Sequence, residues 1–121
     1  MRDEVVIQRY LNNPFLVDGY KFDLRLYVVV TGIEDNDVHA FLAKEGLARF
    51  CTEKYQAATR TNLKNQFMHL TNYAVNKTSP AYVHGKDGQD VSEINFSSKR
   101  TLSALFKQIT KQHGEVVCSE I

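Results

Sequence analysis

Lys21, Asp23 and Arg25 occupy alternate positions in residues 20–30 (YKFDLRLYVVV). Alternate side chains of an extended chain share a face. Two cations, one carboxylate and Tyr27 therefore stand in a row, opposite Phe22, Leu24, Leu26 and Val28. Such a row can floor a polar cleft and hold a charged ligand. It is equally the solvated side of a half-exposed antiparallel strand, and alternation alone fits both. A second chemistry-bearing run is residues 67–75 (FMHLTNYAV), where His69, Thr71, Asn72 and Tyr73 interrupt apolar positions. Buried hydrogen-bonding side chains need partners. This run is either a strand with a satisfied His and Thr or a segment that meets a polar ligand.

The elements that must position these residues follow from pattern. Residues 5–11 (VVIQRYL) read as a short buried strand running into an extended segment, and residues 12–14 (NNP) as a turn. Asp18-Gly19 is a hairpin turn feeding the central strand of residues 20–30. The apolar Val28, Val29 and Val30 predict cover on both faces at its far end. Residues 32–37 (GIEDND) form the next turn and residues 38–43 a third strand, giving a β-meander. Residues 47–50 continue that strand past a glycine bulge, with Leu47 and Arg49 on one face. Residues 55–66 are a loop with room for one short helix, and residues 78–95 are a loop rich in Gly, Asp, Ser and His. Ser97 or Ser98 caps a helix from about Lys99, with Leu102, Leu105, Phe106 and Ile109 at helical spacing. His113-Gly114 stops it, and residues 115–121 begin a further helix.

Composition sets the limits. A chain of 121 residues is one domain or part of one. A net charge of +1 argues against a general nucleic-acid binder. The charge is uneven: residues 1–43 carry seven acids to four bases, and residues 44–77 carry six bases to two acids. A basic patch that includes Arg60, Lys64 and Lys77 suits an acidic partner or is a solvated face. No apolar run reaches membrane-helix length, and the first ten residues have no apolar core of a signal peptide. Cys51 and Cys118 have no metal-type spacing, so reduced thiols in the cytosol are expected. There is no GxxxxGK or GxGxxG loop, and no carboxylate pair marks a magnesium site.

Four blocks carry a resemblance: IQRYLNNPFLVDGYKFDLRLYVVV, EGLARFCTEKY, NQFMHLTNYAVNK and SSKRTLSAL. In this order and spacing they resemble the tubulin tyrosine ligase-like family, and within it the polyglutamylase branch. The resemblance implies an α/β (α+β), ATP-grasp-like fold: an antiparallel sheet with flanking helices, incomplete here. Residues 1–121 would be the central part of the catalytic domain. The implied activity is ATP-dependent ligation of glutamate to glutamate side chains of tubulin tails through an acyl phosphate. The implied partners are tubulin, through its acidic C-terminal tails, microtubules and free L-glutamate, with neither nucleic acid nor membrane. The implied location is the cytoplasm and the cytoskeleton, with the cilium or basal body among its sites.

The same resemblance assigns residues. Gln8, Arg9, Tyr10 and Leu11 match a hinge that reads adenine, and Lys21, Asp23, Thr71 and Asn72 match further ATP contacts. A lysine supplies a point charge to phosphate, and an aspartate accepts from hydroxyl or amino groups. Arg49, Tyr73, Ala74 and Lys99 match the glutamate site, where a guanidinium fork suits a carboxylate. Many relatives carry Ser at position 74, so at Ala74 only a backbone contact is open. Arg25 and Arg49 are the matches with a catalytic part, Arg25 by supporting the cleft electrostatically. His69 also matches, as a ligand-facing or a packed side chain. ATP with Mg2+ is the implied cofactor set. The family's magnesium ligands and a further phosphate lysine match nothing in this sequence, so little or no ligase activity is expected of the chain alone. Two other readings stand beside this one: a non-catalytic remnant that binds tubulin or microtubules, and a glycine or tyrosine ligase of the same family.

Overall fold

A computed structural model describes residues 4–34, 37–85 and 97–115. In chain order the elements are β1 (Leu16–Val17), β2 (Tyr20–Arg25), β3 (Val28–Glu34), β4 (Asp37–Leu42), β5 (Leu47–Phe50), α1 (Gln66–His69), α2 (Tyr73–Asn76), β6 (Lys99–Thr101) and α3 (Leu102–His113). They build a four-stranded antiparallel sheet in the order β1-β2-β5-β6 and a separate β3-β4 hairpin.

The turn between β1 and β2 is the one expected. Asp18 and Gly19 both take left-handed backbone, at φ 54° and 82°. A two-residue turn needs this to match the twist of its strands, and Gly19 adopts it without a Cβ penalty. β2 then pairs with β5 so that Phe22 faces Phe50, Asp23 faces Arg49 and Leu24 faces Ala48. β5 pairs with β6 so that Ala48 faces Arg100 and Arg49 faces Lys99. Partners across an antiparallel ladder share a face. One face is thus Phe22, Leu24, Ala48 and Phe50, with the Phe22 and Phe50 rings stacked at 5.3 Å. The other carries Asp23, Arg49 and Lys99.

Helix α3 covers the apolar face. Leu102, Leu105 and Ile109 fall on one stripe and are buried, and Leu105 and Ile109 join Val17, Ala48 and Phe50 in the core. A fully buried side chain of that size contributes about 1.5–3 kcal/mol. The helix starts under two caps. Thr101 Oγ1 accepts from the Ala104 N–H at 3.2 Å. The Glu45 carboxylate accepts from Leu102 N at 2.9 Å, Ser103 N at 3.3 Å and Ser103 Oγ at 2.6 Å. These bonds satisfy N–H groups that a helix leaves open at its start.

Several expectations are corrected. Residues 5–11 form no strand, and Val5, Val6, Ile7 and Leu11 are exposed. The long central strand ends at Arg25. Its partner β5 begins opposite, at Leu47, and Gly46 lies so close that a Cβ there would sit 2.5 Å from the Arg25 carbonyl oxygen. The chain therefore takes a new partner, and Val28, Val29 and Val30 pair with β4 and are exposed, not covered. Gly32 lies inside β3 at a shift in register, not in a turn. β5 is a separate strand between β2 and β6, not a continuation of β4. Residues 67–75 are not a strand but the two one-turn helices α1 and α2. The serines do not cap α3: Lys99 to Thr101 is strand, and Thr101 is the cap. The stop at His113-Gly114 is observed. The loop expected at residues 86–95 and the helix expected beyond residue 115 lie outside the described residues.

Candidate functional site

The polar face of the sheet gathers two groups of candidate residues. The first surrounds Lys21. Its Nζ donates to the His69 carbonyl at 2.9 Å and to Tyr10 Oη at 3.2 Å, and lies 4.5 Å from the Tyr10 ring centroid. Tyr10 Oη bonds His69 Nδ1 at 3.0 Å. The His69 ring is buried, edge-on to Tyr10 at 5.8 Å and to Tyr55 at 5.9 Å. His69 therefore packs, and fixes the tyrosine that shelters Lys21. Burial pushes the Tyr55 hydroxyl pKa up, and its hydrogen bond with Tyr10 adds to this. Around Tyr10, His69, Leu63, Lys64, Gln66 and Leu70 opens a cavity of about 500 Å³.

The second group is the row Asp23, Arg49, Lys99 across three strands. Arg49 Nε donates to Asp23 Oδ1 at 2.9 Å, and its Nη2 donates to Oδ2. This fork raises the Arg49 pKa above its ordinary value, against the opposing effect of burial. Both side chains are about a third exposed or less, at 27% and 34%. At that exposure the pair contributes on the order of 1 kcal/mol or less. Its main effect is geometric, since it fixes the guanidinium plane. Beside it Arg49, Thr71, Tyr73, Asn76, Tyr82 and Lys99 line a shallow recess.

Residues 70–76 are placed by Asn76, which sequence reasoning passed over. Its buried amide accepts from Thr52 N at 3.0 Å and donates to the carbonyls of Leu70, at 2.6 Å, and Asn72, at 3.1 Å. A buried side-chain amide with its bonds met holds the chain against the end of β5. The available signal was a lone Asn in an otherwise apolar helical turn.

The other candidates are placed as follows. Gln8, Arg9 and Leu11 are exposed on an irregular segment, and of that hinge Tyr10 alone makes a described contact with the sheet residues. Arg25 is exposed at the end of β2, on the face of Lys21 and Asp23, and makes no side-chain bond to a described residue. Asn72 is exposed at the start of α2, where its carbonyl accepts from Asn76, and Ala74 is exposed on α2. Arg60 and Lys64 lie on the turns of residues 60–64, whereas Lys77 lies beside Tyr73.

Arg100 was missed as well. It points to the apolar face, 4.0 Å over the Phe50 ring, with Nε donating to the Ser97 carbonyl at 2.9 Å and Nη1 to Gln108 Oε1. Burial lowers its pKa. Its anchorage holds β6 so that its neighbour Lys99 faces the polar side.

Among the described residues no group of three His, Cys, Asp or Glu side chains could hold a metal ion. No helix among them is long and apolar enough to cross a membrane.

The chain is thus an antiparallel sheet with one face packed on a helix and the other set with Lys, Asp, Arg and Lys. Residues 1–119 match the tubulin-tyrosine ligase family. Three curated relatives fit the same placement. The chain is 43% identical over 114 residues to a protein of Tetrahymena thermophila named "Probable beta-tubulin polyglutamylase", covering 94% of this chain and 9% of that protein. It is 43% identical to the tubulin polyglutamylase TTLL5 of Mus musculus, covering 95% of this chain and 8% of the relative. It is 45% identical to the tubulin polyglutamylase ttll-11 of Caenorhabditis elegans, covering 86% and 14%. The chain belongs to the tubulin-tyrosine ligase family, and its mixed α/β architecture is ATP-grasp-like. It spans about a tenth of the length of these relatives.

Proposed function

We propose that the chain is the central part of the catalytic domain of a tubulin polyglutamylase, with its polar sheet face as part of the ATP and glutamate sites. The observation that carries this reading is the Asp23–Arg49–Lys99 row, set beside Lys21 and Tyr10 in a chain of this family. The residues fit an ATP-bearing face. Tyr10 and Lys21 offer a ring, a hydroxyl and a half-buried ammonium at one point, and Asp23 offers acceptors two residues on. Gln8, Arg9 and Leu11 supply backbone groups to adenine, and Thr71 and Asn72, at the start of α2, supply further contacts. ATP would supply the phosphoryl group that activates the acceptor carboxylate as an acyl phosphate; the amine of free glutamate would attack its carbonyl carbon, forming the amide and releasing phosphate.

The chain's own part is positioning and charge neutralisation. Arg49 presents a fixed guanidinium fork to a glutamate carboxylate, held in plane by Asp23. Lys99 adds a second cation one strand over, Tyr73 walls the recess, and Ala74 offers backbone only. Arg25 adds positive charge at the rim. The described residues do not fit a magnesium site, so no step is assigned to the metal here. The acidic tails of tubulin are the acceptor, with the turns bearing Arg60 and Lys64, and Lys77 beside Tyr73, steering them. The site of action is the cytoplasm, on the cytoskeleton, cilium and basal body included.

The test uses protein that carries the whole family domain around this sequence. Incubation with tubulin, ATP and labelled glutamate, glycine or tyrosine should transfer glutamate alone. The transfer should fall at least tenfold in Arg49→Ala and Lys21→Ala. Transfer of glycine or tyrosine instead, or activity indifferent to both changes, overturns the reading.

A further inference from the structure

Two lysines approach the ring of Tyr73. Lys77 Nζ is 5.6 Å from its ring centroid and Lys99 Nζ is 5.9 Å from it. The two arrive by unrelated routes. Lys77 closes α2 four residues after Tyr73, a spacing that returns its ammonium toward the ring. Lys99 comes from β6, where it pairs with Arg49 across the ladder. Tyr73 is itself braced edge-on by Tyr82 at 6.0 Å.

One ammonium over a tyrosine face is ordinary packing. A second brings like charge to the same ring, and like charges in one place oppose each other. The described residues offer no carboxylate to offset this. Their one ion pair is Asp23 with Arg49, so the charge of that carboxylate is already matched by the guanidinium. Both lysines and the Tyr73 ring are exposed to solvent. Among the described residues the arrangement is therefore a pair of donors without an acceptor, one of them paired across the ladder with a guanidinium held in a fixed plane.

We propose that Lys77 is a ligand-binding residue: with Lys99 it forms a two-ammonium clamp over Tyr73 that takes the side-chain carboxylate of a glutamate. The inference rests on the ligase reading above and adds to it a specificity-determining contact. A ligand carboxylate would offset both ammoniums, and a ligand without one leaves their like charges at the same ring unmatched. The clamp thus discriminates by charge against glycine and tyrosine. The glutamate is either the free amino acid or a residue of the acceptor tail, and the two share this carboxylate chemistry.

The experiment is calorimetric titration of the full chain at low salt with L-glutamate and, separately, with a short glutamate-rich peptide. Lys77→Gln should weaken one of the two by about threefold to fivefold, the range of a single exposed ion pair. Lys77→Arg should restore it. Lys107→Gln, on α3 across the sheet, should leave it unchanged. Dependence on Lys77 in the glutamate arm assigns the clamp to the free amino acid, and in the peptide arm alone to the acceptor tail. No binding in either arm, or equal weakening by Lys77→Gln and Lys107→Gln, overturns the clamp. An ATP titration of the same samples separates the two ideas. A chain that binds ATP but ignores Lys77→Gln keeps the ligase reading and loses the clamp. A chain that binds glutamate through Lys77 and never binds ATP does the reverse.

Discussion

Asp23 and Arg49 face each other across β2 and β5 and are joined by two hydrogen bonds, the Nε–Oδ1 bond measuring 2.9 Å. A guanidinium held this way is oriented before any ligand arrives. It is also partly neutralised by Asp23, so under the proposed function it gives a ligand carboxylate direction more than net charge. Net positive charge on this face comes from Lys21, Arg25 and Lys99, with Lys77 beside Tyr73 on α2.

Substitution of either partner should therefore have unequal effects. Arg49→Lys keeps the charge and loses the fork, and should weaken glutamate binding by about tenfold. Asp23→Asn frees the fork to rotate and should cost less, about threefold. Because the pair is partly exposed, both variants should keep the stability of the parent within about 1 kcal/mol. Urea denaturation beside ligand titration checks both halves of the expectation.

Acidification should act at Glu45. The Ser103 hydroxyl, then the Gly46 N–H, hold its carboxyl below the ordinary value of 4.5, helped by the N–H groups of Ser103 and Leu102. A carboxyl with a lowered folded pKa contributes stability above that ordinary value and loses it as pH falls through the folded one. Glu45→Gln should thus cost about 1 kcal/mol at neutral pH, as loss of a cap does. The gap between variant and parent should close as pH drops below about 4.5. Melting curves at several pH values measure it.

Cys51 is buried, and desolvation pushes its thiol up to about 11. It should stay protonated and slow toward thiol reagents at neutral pH. In a chain with Cys118→Ser, labelling should be slow when native and fast in denaturant, as mass spectrometry can follow. Rapid native labelling would place Cys51 outside the core.

Gly46 admits no side chain, since a Cβ would stand 2.5 Å from the Arg25 carbonyl and 3.0 Å from Leu102 Cδ1. Gly46→Ala should destabilise by about 1–3 kcal/mol, the usual cost of overpacking. The damage should spread to the site, because the displaced strands carry Asp23 and Arg49. Denaturant titration together with the shift of the Arg49 side-chain resonance tests this.

Much of the candidate site's arrangement was legible because it lies on one alternating strand. Lys21, Asp23 and Arg25 share a face as their spacing demands, and Arg49 and Lys99 fall on that face once register is known. Register is what alternation cannot supply. Nothing in YKFDLRLYVVV marks the break after Arg25, because Leu26 and Tyr27 continue the pattern. The break coincides with the start of β5 at Leu47, where Gly46, twenty-one residues after Arg25, packs against the Arg25 carbonyl. The short helices of residues 66–76 have one turn each, too little for a helical period to appear. In SSKRT three hydroxyl residues compete for the cap of α3. Pairing of Lys99 with Arg49 decided for Thr101, by drawing the serines out of the helix. Arg100 on the core face defied its residue type, since burial of an arginine depends on Phe50, Ser97 and Gln108 meeting it there.

The central claim is that the polar sheet face binds ATP, and titration of the isotope-labelled chain with ATP tests it most directly. The account predicts that amide shifts concentrate at Tyr10, Lys21, Asp23, Thr71 and Asn72 and vanish in Lys21→Ala. Shifts confined to the α3 side of the sheet, or no shifts at millimolar ATP, would contradict it.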